Sequence, residues 1–87
     1  MNPHKILEEA AEIIGERGVD YGGVEDNFRN IAAIYERATG HRVDPWDVAM
    51  MMVSVKLARI QASPGKKDHY LDLINYAAFA CELLGAE

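Results

Sequence analysis

DPWDVAMMMVSVKLARIQA, residues 44–62, is the stretch whose reading decides the fold. Asp44 can accept a hydrogen bond from a free backbone N–H, Pro45 suits the first helical position, and Asp47 favours the positive end of the helix dipole. The spacing predicts a helix over 44–62. At 100° per residue, Trp46, Ala49, Met50, Val53, Leu57 and Ile60 form one stripe, while Val48, Met51, Met52, Val55 and Ala62 cover much of the opposite side. A helix apolar nearly all round is expected at the centre of its molecule. Lys56 and Arg59 stand three residues apart on one face of it, close in angle to Met52. Two readings stay open for them: cations that hold an anion beside an apolar wall, or long side chains that snorkel from the late turns of a buried helix.

Working outward, Ser63-Pro64-Gly65 breaks the chain, and a last helix is expected from about Lys66 to Leu84. Most of its surface is apolar. A narrow polar stripe of Asp68, Asp72 and Asn75 continues over Phe79 and ends at Glu82. A buried carboxylate needs a partner, and Lys56, Arg59 or a metal ion are the candidates. An ion pair of Asp72 with Lys56 or Arg59 needs no ligand at all.

On the N-terminal side, Gly40 is the expected left-handed residue after a helix from about Glu25 to Ala38. Phe28, Ile31, Ala32, Tyr35 and Ala38 form its expected buried stripe. Asn27, close to that stripe, either caps the helix or offers its amide to a ligand. Residues 15–24, GERGVDYGGV, hold four of the seven glycines and are expected to form a loop, with Tyr21 either stacking on a base or plugging the end of the bundle. The first helix is expected from about Pro3 to Gly15, with Ile6, Leu7, Ala10, Ala11, Ile13 and Ile14 on its apolar face. Glu8, Glu9 and Glu12 fall opposite, as a solvated face or as carboxylates able to converge on a hard cation such as Mg²⁺.

The expected architecture is therefore all-α: one domain over 1–87, a four-helix bundle-like protomer. With 87 residues and a single cysteine, Cys81, the chain has neither a large core nor disulfides, so assembly into a homo-oligomer is expected to supply the missing stability. A net charge of −5 without a basic cluster argues against a nucleic-acid polymer as partner. The N-terminus lacks a signal-peptide pattern, no segment is long and apolar enough for a membrane span, and Cys81 in an apolar helix fits a reducing cytoplasm. No His/Cys spacing matches a zinc site, and no serine or cysteine stands in a nucleophile motif.

The order of EEAAE, DYGGVEDNFRNIA, DPWDVAMMMVSVKLARI and DHYLDLINYAA resembles the short MazG-like proteins of tailed phages, grouped with the all-α nucleoside triphosphate pyrophosphohydrolases. The likeness covers nearly the whole chain. Its most specific pieces are Asp20-Tyr21-Gly22, Asn27-Phe28, Lys56-x-x-Arg59, and Asp68-x-x-x-Asp72 with Tyr76. It implies a helical dimer or tetramer that binds a nucleotide and uses Mg²⁺ to hydrolyse it to a nucleoside monophosphate and pyrophosphate. Carried over by position, the family's Glu-Glu-x-x-Glu motif falls on Glu8, Glu9 and Glu12. The resemblance then implies metal binding by Glu9, Glu12, Asp68 and Asp72, catalysis by Glu9, Glu12 and Asp72, and substrate contacts from Tyr21, Asn27, Lys56, Arg59 and Tyr76. The family's second motif, Glu-x-x-Asp, is missing, since no Glu here is followed three residues later by Asp. The alternative is a nucleotide-sequestering phage protein that keeps the pocket without chemistry and holds a signalling nucleotide of host defence.

Overall fold

The computed structural model describes residues 2–21 and 23–85, with the backbone alone at residues 16–21 and 24. The described residues form four helices: α1 (Pro3–Tyr21), α2 (Val24–Thr39), α3 (Pro45–Ala62) and α4 (Lys67–Leu84). The fold is all-α, as expected, and no strand occurs among the described residues.

The helix ends follow the local chemistry. At α3, Pro45 takes the first helical position, and the backbone N–H of Asp44 donates to Asp47 Oδ2 at 2.8 Å. Gly40 ends α2 in the left-handed region, φ +78°, and its N–H donates to the Glu36 carbonyl at 2.7 Å. Between α3 and α4 the Tyr70 hydroxyl donates to the Pro64 carbonyl at 2.8 Å, fastening the turn to the helix that follows it.

One boundary differs from expectation. The chain from Gly15 to Tyr21 continues α1 instead of forming a loop. A glycine inside a helix costs about 1 kcal/mol relative to alanine, which a helix already nucleated over three turns can absorb. Glycine content alone therefore misplaced the end of α1.

Among the described residues the four helices contact one another unequally. α3 packs most extensively against α4, α1 rests on α4, α2 rests on α3, and α1 and α2 barely meet. The centre is an antiparallel α3–α4 pair, in which Ala49 and Ala80 are buried with Phe28 of α2. Small residues at these points let the backbones approach, and the aromatic rings of Phe28, Tyr76 and Phe79 fill the remaining space with centroids 6.1–6.2 Å apart. Because the layer is open, Ile31, Tyr35, Leu7 and Trp46 are exposed, although the sequence pattern put them on apolar faces. The periodicity is right, but nothing among the described residues covers these side chains.

Candidate functional site

Two ion pairs join α4 to its neighbours. Lys56 of α3 reaches across the central seam to Asp72, with Nζ 3.0 Å from Oδ2 and the two side chains only 16% and 18% exposed. Glu9 of α1 meets Lys67 at the start of α4, where Nζ lies 3.0 Å from Oε2 and donates a hydrogen bond to Oε1 at 3.3 Å. Oε2 is shielded from solvent and accepts no hydrogen bond from the described residues, so its contact with the ammonium is one of charge. Glu9 is thus half-buried and turned toward α4, not on a fully solvated face.

Asn75 lies one turn beyond Asp72 on the same side of α4 and is 6% exposed. Among the described residues nothing hydrogen-bonds its side-chain amide. The amide is not sealed off unsatisfied, however: Glu9 Oε2 is the one side-chain atom among the described residues that is both withdrawn from solvent and without a hydrogen bond. Half the polar stripe read from the sequence therefore faces inward: Asp72 finds a cation, and Asn75 brings a donor and an acceptor to the seam.

The other nominated residues are spread more widely. Arg59 is exposed and makes no ion pair among the described residues, so Lys56 alone of the two cations meets Asp72. Glu12 and Asp68 are exposed. Asn27 is exposed inside α2, whose N-cap is Gly23, so it is not a capping residue. Tyr76 packs its ring between Phe28 and Phe79. The side chains of Tyr21 and Asp20, and the whole of Gly22, lie outside the described residues.

The four carboxylates nominated for Mg²⁺ do not assemble within the chain. Glu9 faces Lys67, Asp72 faces Lys56, and Glu12 and Asp68 face solvent. No three Asp, Glu, His or Cys side chains among the described residues come together closely enough to hold an ion. As placed, this donor set does not fit the hard-cation site that the resemblance implies. What the seam can do is bind: a lysine held by one carboxylate can exchange that partner for a phosphate, and an amide can read a base edge.

A separate open cleft of about 290 Å³ lies between α2 and the connection to α3, where Arg29 and Arg42 stand among Glu36 and Asp44. Arg29 is paired with Glu25 at 2.5 Å. The sequence reading nominated none of these residues, and no spacing rule would have found the cleft, because it forms only where α2 meets the connecting segment.

Residues 5–84 match the family model described as a domain of unknown function, DUF6378. The chain is 36% identical over 73 residues to the Gene 55 protein of Mycobacterium phage D29, covering 83% of this chain and 48% of that protein. It is 40% identical over 76 residues to the Gene 55 protein of Mycobacterium phage L5, covering 83% and 47%. The chain thus spans about half the length of the curated relatives it matches. No solved structure matches it significantly. Neither the family description nor the relatives' names mention nucleotide chemistry, so the MazG-like likeness rests on the motifs alone. Among the described residues, no helix is long and apolar enough to cross a membrane.

Proposed function

The chain belongs to the DUF6378 family, and within that family we propose that it is a nucleotide-binding protein acting as a homo-oligomer in the cytoplasm of a phage-infected cell. The observation that carries this reading is the Lys56–Asp72 pair, largely withdrawn from water in the seam between α3 and α4, with the buried Asn75 one turn further along α4. A half-buried cation beside an amide suits a ligand that brings both a phosphate and a polar base edge. Arg59 is available at the outer end of the same helix for further phosphate charge.

Two fates of the bound nucleotide are supported by different observations. The motif resemblance favours Mg²⁺-dependent hydrolysis to a nucleoside monophosphate and pyrophosphate, with Glu9, Glu12, Asp68 and Asp72 as the residues at stake. The separation of those carboxylates within the protomer favours retention of the intact nucleotide.

Incubation of the purified chain with a panel of nucleotides, with and without Mg²⁺, tests the proposal. Pyrophosphate release that a chelator stops establishes hydrolysis; retention of unaltered nucleotide on the protein establishes sequestration. The absence of both removes nucleotide binding from consideration.

A further inference from the structure

The exposed side of α3 has a repeat of its own. Trp46, Met50, Val53, Leu57 and Ile60 follow one another at spacings of four, three, four and three residues, the interval at which one helix presents a continuous seam to another. Within the protomer, Trp46, Met50 and Leu57 are 36%, 37% and 53% exposed, and Val53 and Ile60 are half-buried at the edge of the core. No charged side chain interrupts the row. Lys56 lies on the flank next to α4, where Asp72 holds it.

The protomer's surface says how much is missing. It exposes 6338 Å². A folded monomer of 9.7 kDa is expected to expose about 5,100 Å², so the excess is about 1,200 Å². A stable interface of standard size takes about 800 Å² from each partner. The radius of gyration, 13.9 Å, also exceeds the roughly 12 Å of a compact domain of this length. Among the described residues, no large side chain is completely buried.

We infer that this α3 stripe is the interface of a two-fold homodimer, covered by the same stripe of a second copy. An isologous contact needs a patch that complements itself, and an uncharged heptad row does so without pairing like charges. A membrane is the poorer occupant, because the chain carries a net charge of −5 and the residues bordering the stripe, Asp47, Ser54 and Gln61, offer no cation to anionic lipid. α2 is the poorer interface: its exposed Ile31, Ile34 and Tyr35 extend over little more than one turn. This inference deepens the homo-oligomer of the proposed function, but its readouts are mass and fluorescence, so failure to bind nucleotide leaves it standing.

Trp46 is the chain's single tryptophan and lies in the stripe, which makes the interface directly visible. Light scattering on the 87-residue chain is expected to give twice the 9.7 kDa mass, and dilution is expected to shift Trp46 emission to the red as the dimer dissociates. Leu57→Glu and Met50→Glu, both at positions exposed in the protomer, are expected to abolish the dimer and red-shift Trp46 while far-UV circular dichroism stays helical. Ile34→Glu on α2 is the comparison and leaves the dimer intact. A monomeric wild-type chain overturns the inference. So does a dimer that survives both α3 variants, or one that only Ile34→Glu disrupts.

Discussion

Lys56 on α3 and Asp72 on α4 hold each other across the central seam, Nζ to Oδ2 at 3.0 Å, with both side chains largely withdrawn from water. Asp72 is the carboxylate that the polar stripe of α4 turns toward the seam, and Lys56 of α3 is the cation it meets there. Removal of the pair therefore tests structure and ligand binding together, and the two have to be separated.

Lys56→Ala leaves Asp72 half-buried without its cation and is expected to cost about 2–3 kcal/mol, somewhat below the range for fully buried pairs. For a domain of this size that lowers the melting temperature by roughly 10–20 °C. Replacing both partners, Lys56→Met with Asp72→Leu, is expected to restore the melting temperature to near wild type. If nucleotide retention recovers along with stability in the double variant, the pair is structural and contributes nothing to the ligand.

Asn75→Leu separates the same roles from the other side. Its amide has no hydrogen-bond partner among the described residues, so an apolar side chain of similar size is expected to leave the melting temperature unchanged or to raise it, by about 1 kcal/mol at most. Nucleotide retention should drop together with the amide. Calorimetry that showed a loss of several kcal/mol would mean that the amide is satisfied in solution and is not waiting for a ligand.

Two glycines that look alike in the sequence are expected to respond in opposite directions. Gly40 has a positive φ of 78° after α2, where alanine is strained, so Gly40→Ala should destabilise by about 1 kcal/mol. Gly15 is inside α1 and a Cβ there meets nothing within 4 Å, so Gly15→Ala should stabilise by about 0.5–1 kcal/mol. Thermal melts of the two variants check both signs, and a destabilised Gly15→Ala would contradict the continuation of α1 through that position.

The same contrast marks what the sequence makes legible. Asp44-Pro45, Gly40 and Ser63-Pro64-Gly65 act within a turn of themselves, so their residue types delimit α2, α3 and the start of α4. The end of α1 depends on whether a glycine penalty outweighs helix propagation, a balance that composition does not decide. At the candidate site, the sequence leaves an ion pair of Asp72 with either of two cations open. Choosing Lys56 over Arg59 needs the register of α3 on α4 to better than one turn, and that register is set by Ala49, Ala80 and Phe28 packing far along the seam. The inward turn of Asn75 and the exposure of Ile31 and Tyr35 are likewise decided by which helices are neighbours. The resemblance implies a substrate contact for Tyr76, and its ring lies beside Phe28 and Phe79; an aromatic on an apolar helix face offers the same surface for packing and for stacking, so residue type alone does not separate the two.

Glu12 gives the cleanest separation of hydrolysis from retention. Its side chain is exposed on α1 and makes no ion pair among the described residues, so Glu12→Ala should change stability by no more than about 0.5 kcal/mol. Glu9, by contrast, is tied to Lys67 and its removal disturbs the contact of α1 with α4. If the chain hydrolyses a nucleotide in the manner the motif resemblance implies, Glu12→Ala abolishes pyrophosphate release in a protein that melts like the wild type and still retains nucleotide. If the chain sequesters its nucleotide, the same variant retains it with unchanged affinity, and no pyrophosphate appears from either protein. Pyrophosphate release that survives in Glu12→Ala at the wild-type rate would dismiss the helix-one glutamate motif as the source of the chemistry and turn attention to Asp72 and the seam around it.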